Sequence, residues 1–101
     1  MLDFEKLDEW LRRHRDECLR CGAEQLAFTA LQGGFMLVVC DACGHKISVR
    51  VDTIRAIAFS DEAMKTLRVL SADKDLPMRF KAECDMVLSL ARLYRKFFEN
   101  E

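Results

Sequence analysis

Four cysteines stand in two pairs, Cys18-Leu19-Arg20-Cys21 and Cys40-Asp41-Ala42-Cys43, with eighteen residues between the pairs. Two residues between cysteines let both sulfurs point at one metal ion from a tight backbone turn. The interval between the pairs is that of a four-cysteine zinc site. Each pair is followed by glycine, at Gly22 and Gly44. Glycine there tolerates the left-handed backbone that aims N–H groups at thiolates and offsets their charge. The fifth cysteine, Cys84, falls on the apolar side of a helical pattern, where a free thiol packs as a small hydrophobe. His45 follows the second pair, but four cysteines already close a tetrahedral site and leave no position for an activated water. No Ser/His/Asp set, phosphate-binding glycine loop or paired-carboxylate motif accompanies them, so the chain is expected not to be an enzyme, with no small-molecule substrate.

Two C-x-x-C-G turns, a hairpin between them and a strand after the second resemble the zinc-ribbon superfamily over residues 18–51, about a third of the chain. The resemblance implies one tetrahedral zinc per chain held by Cys18, Cys21, Cys40 and Cys43. Iron in a rubredoxin-like site is the chemical alternative, and a thiol redox pair would leave one of the two motifs unexplained. A second parse, His14-x-x-x-Cys18-x-x-Cys21, is similar to the motif of zinc-binding anti-sigma factors. That family has a cysteine on an upstream helix, absent here, and is helical where this chain carries Cys40 and Cys43 among strand-forming residues.

The elements that position these residues are legible as periodicities. Residues 2–17 read as an amphipathic helix with Leu7, Trp10, Leu11 and His14 on one face, and with Asp8/Arg12 and Glu9/Arg13 as acid-before-base pairs on the surface. From Glu24 to Val51 the period becomes two. Gln25–Leu31 and Phe35–Cys40 flank Gln32-Gly33-Gly34 as a hairpin, and Lys46–Val51 makes a third strand with Ile47, Val49 and Val51 inward. Asp52 is expected to cap a short helix through Phe59, Ser60 a second through Leu70, and Pro77 to open a third that runs to Phe98, with Ser71–Leu76 as a linker. The fold class expected is α+β in a single domain: an N-terminal helix (1–17), a three-stranded antiparallel ribbon (18–51) and two or three C-terminal helices (52–101).

The last helix carries two apolar stripes, one through Phe80, Cys84, Val87, Ala91, Tyr94 and Phe98, the other through Met86, Leu90, Leu93 and Phe97. A face that wide predicts a protein interface at Met86, Leu90, Leu93 and Phe97, most simply in a homodimer. The competing arrangement lays the N-terminal helix over that stripe through Leu7, Trp10 and Leu11.

Of 101 residues, half are hydrophobic and a third charged, with one proline and four glycines, which fits a folded domain and excludes linker-like and low-complexity classes. No apolar run spans a membrane, and the N-terminus lacks the features of a secretory signal, so a soluble cytoplasmic protein is expected, its cysteines reduced. Sixteen basic against seventeen acidic residues argue against a general polyanion binder. The functional expectation is a non-enzymatic protein-interaction or regulatory module, linked to transcription through the zinc-ribbon resemblance. The alternative is a nucleic-acid-binding regulator that uses Arg20, Lys46 and Arg50 around the cysteine turns.

Overall fold

The computed structural model describes residues 3–99 and is α+β. Leu2, at the start of the expected first helix, and residues 100 and 101 lie outside the described residues. The order is α1 (Phe4–Leu11), β1 (Arg15–Asp16), β2 (Leu26–Leu31), β3 (Phe35–Cys40), β4 (Lys46–Arg50), α2 (Val51–Ala58), α3 (Asp61–Ala72) and α4 (Met78–Glu99).

Helix α1 begins where the Asp3 carboxylate accepts the backbone N–H groups of Glu5 and Lys6, at 3.0 and 3.2 Å, which supplies partners for two otherwise orphaned donors. It ends at Leu11, six residues before the expected boundary. His14 N–H closes a last tight turn on the Leu11 carbonyl (3.1 Å), and the chain extends so that Arg15 and Asp16 pair with Ala27 and Leu26. The sheet therefore has four strands rather than three, all antiparallel, in the order β1-β2-β3-β4. The extra strand satisfies backbone groups on an edge that a continuous helix would have left open.

Because β1 is only two residues long, it covers only the start of β2. Farther along, Ala30 N–H donates to Oδ1 of Asp8 (2.9 Å), whose other oxygen accepts from Nε of Arg12 (2.8 Å). The expected surface pair is present and does a second task. Asp8 closes the open edge of the sheet and ties α1 to it.

The β2–β3 hairpin turns through Gln32-Gly33-Gly34, with Gly34 at φ 89° and its N–H on the Leu31 carbonyl (3.0 Å). A three-residue turn that ends in a left-handed glycine matches the strand twist. Strand β4 stops at Arg50, and Val51, expected as its last inward residue, is instead the first residue of α2 with its N–H on the Gly34 carbonyl (2.8 Å). Arg50, in extended conformation, precedes that helix without a side-chain cap, so Asp52 lies in the first turn and not at the cap. Ser60 caps α3 as expected, accepting from Ala63 N–H (3.2 Å), but α3 continues through Ser71 and Ala72, the start of the expected linker.

The inner face of the sheet presents Leu26, Phe28, Ala30, Met36, Val38 and Cys40, all buried. Helix α4 lies between this face and the α2–α3 pair, which accounts for its two stripes. One stripe meets the sheet side: Phe97 packs edge-on against Trp10 of α1 (centroids 5.7 Å apart), and Ser89 Oγ donates to Oδ2 of Asp16 (2.8 Å). The other meets α2, where Tyr94 packs against Phe59 and its hydroxyl accepts from Nε of Arg55 (3.1 Å). Met86, Leu90 and Phe97 are thus core residues and Leu93 is half-buried. The stripe expected as an intermolecular contact is covered within the chain by the sheet and α1, so the reason for expecting a homodimer through it falls away. Burying a side chain such as Leu90 contributes about 1.5–3 kcal/mol, enough to hold α4 across the sheet once several residues do so.

Candidate metal centre

The first cysteine turn lies between β1 and β2, and the second between β3 and β4. The hairpin brings them side by side because Leu26, which follows the first turn, pairs with Cys40, which begins the second. Both turns share one backbone pattern. Cys18 N–H donates to the Ala23 carbonyl (2.8 Å) and Gly22 N–H to the Cys18 carbonyl (2.7 Å). In the second turn Cys40 N–H donates to the His45 carbonyl (2.9 Å) and Gly44 N–H to the Cys40 carbonyl (2.8 Å). Gly22 and Gly44 sit at φ 79° and 77°. A Cβ on either would meet nothing within 4 Å, so the left-handed backbone, not crowding, selects glycine there.

This repeat points four sulfurs at one spot. All four Sγ atoms lie within 4.8 Å of one another, with Cys18–Cys43 at 3.9 Å and Cys21–Cys40 at 3.6 Å. A tetrahedral ion with metal–sulfur bonds of about 2.3 Å separates its sulfurs by about 3.8 Å, which the two distances bracket. A disulfide would need about 2.05 Å. The cluster is arranged to hold a metal ion and is compatible with zinc. The first cysteine of each pair, Cys18 and Cys40, is buried, whereas Cys21 and Cys43 are exposed.

The turns also set the proton affinities. Burial pushes the Cys40 thiol up, but the amides of Cys43 and Ala42 and the sulfurs of Cys21 and Cys43 outweigh it and bring it down to about 7. At Cys21 the Ala23 amide pulls down, while burial and the three neighbouring sulfurs push harder in the other direction, to about 11. The amides aimed at Cys40 thus favour its thiolate, whereas at Cys21 the single amide is outweighed.

His45 is inward-facing beside the cluster, its side chain 7% exposed. Its Nδ1 lies 3.4 Å from Nη1 of Arg20 and its Nε2 3.7 Å from Oε1 of Glu83 on α4. Nε2 is buried without a hydrogen-bond partner among the described residues, with the Glu83 carboxylate just beyond hydrogen-bond reach. The ring bridges the first turn and the last helix. His14 is not in the cluster: its Nδ1 lies 2.8 Å from the Trp10 carbonyl and its ring packs on the Trp10 indole. Cys84 is likewise apart and buried, and burial followed by the charge of Glu83 raises its thiol.

The basic residues expected around the turns do not share one surface. Lys46 and Arg50 are both exposed on the outer face of β4, whereas Arg20 contacts His45 on the side of the sheet that faces α4. Sequence reasoning missed the apolar character of that outer face, where Leu31 and Phe35 are 47% and 40% exposed and Leu37 and Val39 half-buried. The signal was available: Phe35–Cys40 is apolar at every position, so β3 has two apolar faces and the core takes only one.

Among the described residues no helix is long and apolar enough to cross a membrane. No family model, curated protein or solved structure matches the chain.

Proposed function

We propose that the chain is a zinc-organised, non-enzymatic interaction module with a regulatory role, in which Cys18, Cys21, Cys40 and Cys43 hold one Zn²⁺. The observation that carries this reading is the set of four sulfurs at tetrahedral spacing, within 4.8 Å of one another. Four thiolates favour zinc over harder divalent ions, and they fill its coordination shell, so the ion fixes the two turns and activates no water. The pairing of two C-x-x-C-G turns through a hairpin also supports the zinc-ribbon resemblance, which makes transcription-linked machinery the natural class of partner.

Elemental analysis of freshly purified protein tests the metal assignment, with one equivalent of zinc per chain expected. Less than half an equivalent, with no other metal in its place, would sink it. A nucleic-acid reading retains Lys46 and Arg50 on a shared face but not Arg20.

A further inference from the structure

We infer that the outer face of the sheet is the docking surface of this module and that it takes an extended, acidic segment of another protein. The inference rests on the interaction-module reading above and names the surface and the chemistry of its partner.

Cross-strand pairing defines the face. One row runs Ala27, Val39, Lys46; the next Thr29, Leu37, Ser48; the third Leu31, Phe35, Arg50. Paired residues share a face, so these nine lie together, opposite the core residues. The floor is apolar and open at one end, where Leu31 and Phe35 are both exposed. Lys46 and Arg50 rise at its two ends along β4, four residues and so about 13 Å apart. Neither forms an ion pair among the described residues. Strands β2, β3 and β4 contain no Asp or Glu, although the whole chain carries a net charge of −1. No carboxylate of these three strands offsets the positive charge on this face.

Apolar floor and separated cations specify the occupant. An extended peptide repeats its side chains at the same ~3.3 Å per residue, so acids at i and i+4 reach Lys46 and Arg50 while apolar side chains rest on Leu37, Val39 and Phe35. A second copy of this chain using the same face would bring like charges together. Single-stranded nucleic acid gains its affinity by stacking bases on several aromatic rings, and Phe35 is the one aromatic residue among the nine.

The test is selection from a displayed library of random peptides against the full zinc-loaded chain, followed by fluorescence anisotropy with the enriched peptides. Enriched sequences should carry Asp or Glu alternating with apolar residues. Lys46→Glu with Arg50→Glu should weaken binding about tenfold or more and flatten its salt dependence, since two exposed ion pairs become repulsions. Phe35→Ser should weaken it further, whereas Phe80→Ser, at an exposed site on α4, should not. Zinc content and melting temperature of each variant establish that it is folded. Enriched peptides without acids, or acidic peptides that bind the charge-reversed protein as well as the parent, would overturn this surface and leave the module reading standing. Failure of the zinc-loaded parent to enrich any peptide would overturn both. Tighter binding of an oligothymidine, lost on the same charge reversal, would give the face to nucleic acid and overturn the peptide assignment.

Discussion

Replacing Asp8 by alanine separates an ordinary surface ion pair from a contact that closes the sheet. The carboxylate accepts from Arg12 Nε at 2.8 Å and from Ala30 N–H at 2.9 Å, and its side chain is 24% exposed. The Arg12 pair, with its partner 63% exposed, contributes about 0.3–0.5 kcal/mol. The Ala30 bond has a charged acceptor and a strand-edge donor with no other partner in the sheet, and such bonds contribute about 1.5–3 kcal/mol. Alanine returns about 0.5 kcal/mol in helix propensity. The net loss for Asp8→Ala is about 2 kcal/mol, which lowers the melting temperature of a domain this size by roughly 8–16 °C. Arg12→Ala should lower it by only ~2 °C. The two proteins are compared with the parent by calorimetry, and hydrogen exchange at the Ala30 amide reports the bond directly.

The same contact gives a pH signature. Burial pulls the Asp8 carboxyl up, but the Arg12 hydrogen bond, the Ala30 amide and the Arg12 charge together hold it below its ordinary 3.8. A folded value below the unfolded one means that the ionised group stabilises the fold at every pH above 3.8, and that this stability disappears as pH falls through the folded value. The melting-point gap between parent and Asp8→Ala should therefore be constant near neutrality and close in acid. Only the gap is read, since acid also strips metal from thiolates in both proteins. If Asp8→Ala and Arg12→Ala melt together, or the Ala30 amide exchanges freely in the parent, the edge-closing role assigned to Asp8 is wrong.

Cys40→Ser should abolish zinc binding and unfold the region around the turns, because apparent binding energies of structural zinc reach ~10 kcal/mol or more, whereas Cys84→Ala should keep a full equivalent of zinc; metal content with circular dichroism checks both. Gly44→Ala should destabilise by about 1–2 kcal/mol through its left-handed backbone alone, since no atom lies within 4 Å of the added Cβ, while Gly33→Ala, whose nearest contact is Phe35 at 3.8 Å, should be close to neutral in the same denaturant titration.

Local signals carried the parts of the fold that local chemistry decides. The C-x-x-C-G pairs, the Gly-Gly turn and the Ser60 cap were all legible because each depends on a few adjacent residues. What was not legible depended on distant partners. Nothing near Arg15 marks it as a strand residue. It becomes one only because Ala27, twelve positions on, needs an antiparallel neighbour. Asp8 looks like half of a helical ion pair until Ala30 is placed beside it. The width of the apolar surface on α4 was correct, but periodicity cannot say whether a second stripe meets another molecule or the other half of the same one. The sheet and α1, from the far end of the chain, cover one stripe, and α2–α3, from nearby, cover the other.

The placement of the four sulfurs shows what a metal would add to a chain with a sizeable helical core. Cys18 and Cys40 belong to the core, Cys40 paired with Leu26 across the sheet, while Cys21 and Cys43 sit on the surface. An ion held by all four links the buried layer to two exposed turns that have few apolar contacts of their own. Without it, the end of the sheet farthest from the hairpin would rest on the backbone bonds of the turns and on the His45 bridge to Glu83, a 3.7 Å contact. The helices cover the inner face of the sheet, and an ion held by the four sulfurs would stabilise its end. On the docking proposal the outer face is what remains: exposed Leu31 and Phe35, with Lys46 and Arg50 in no ion pair among the described residues, form the surface that an acidic segment would cover.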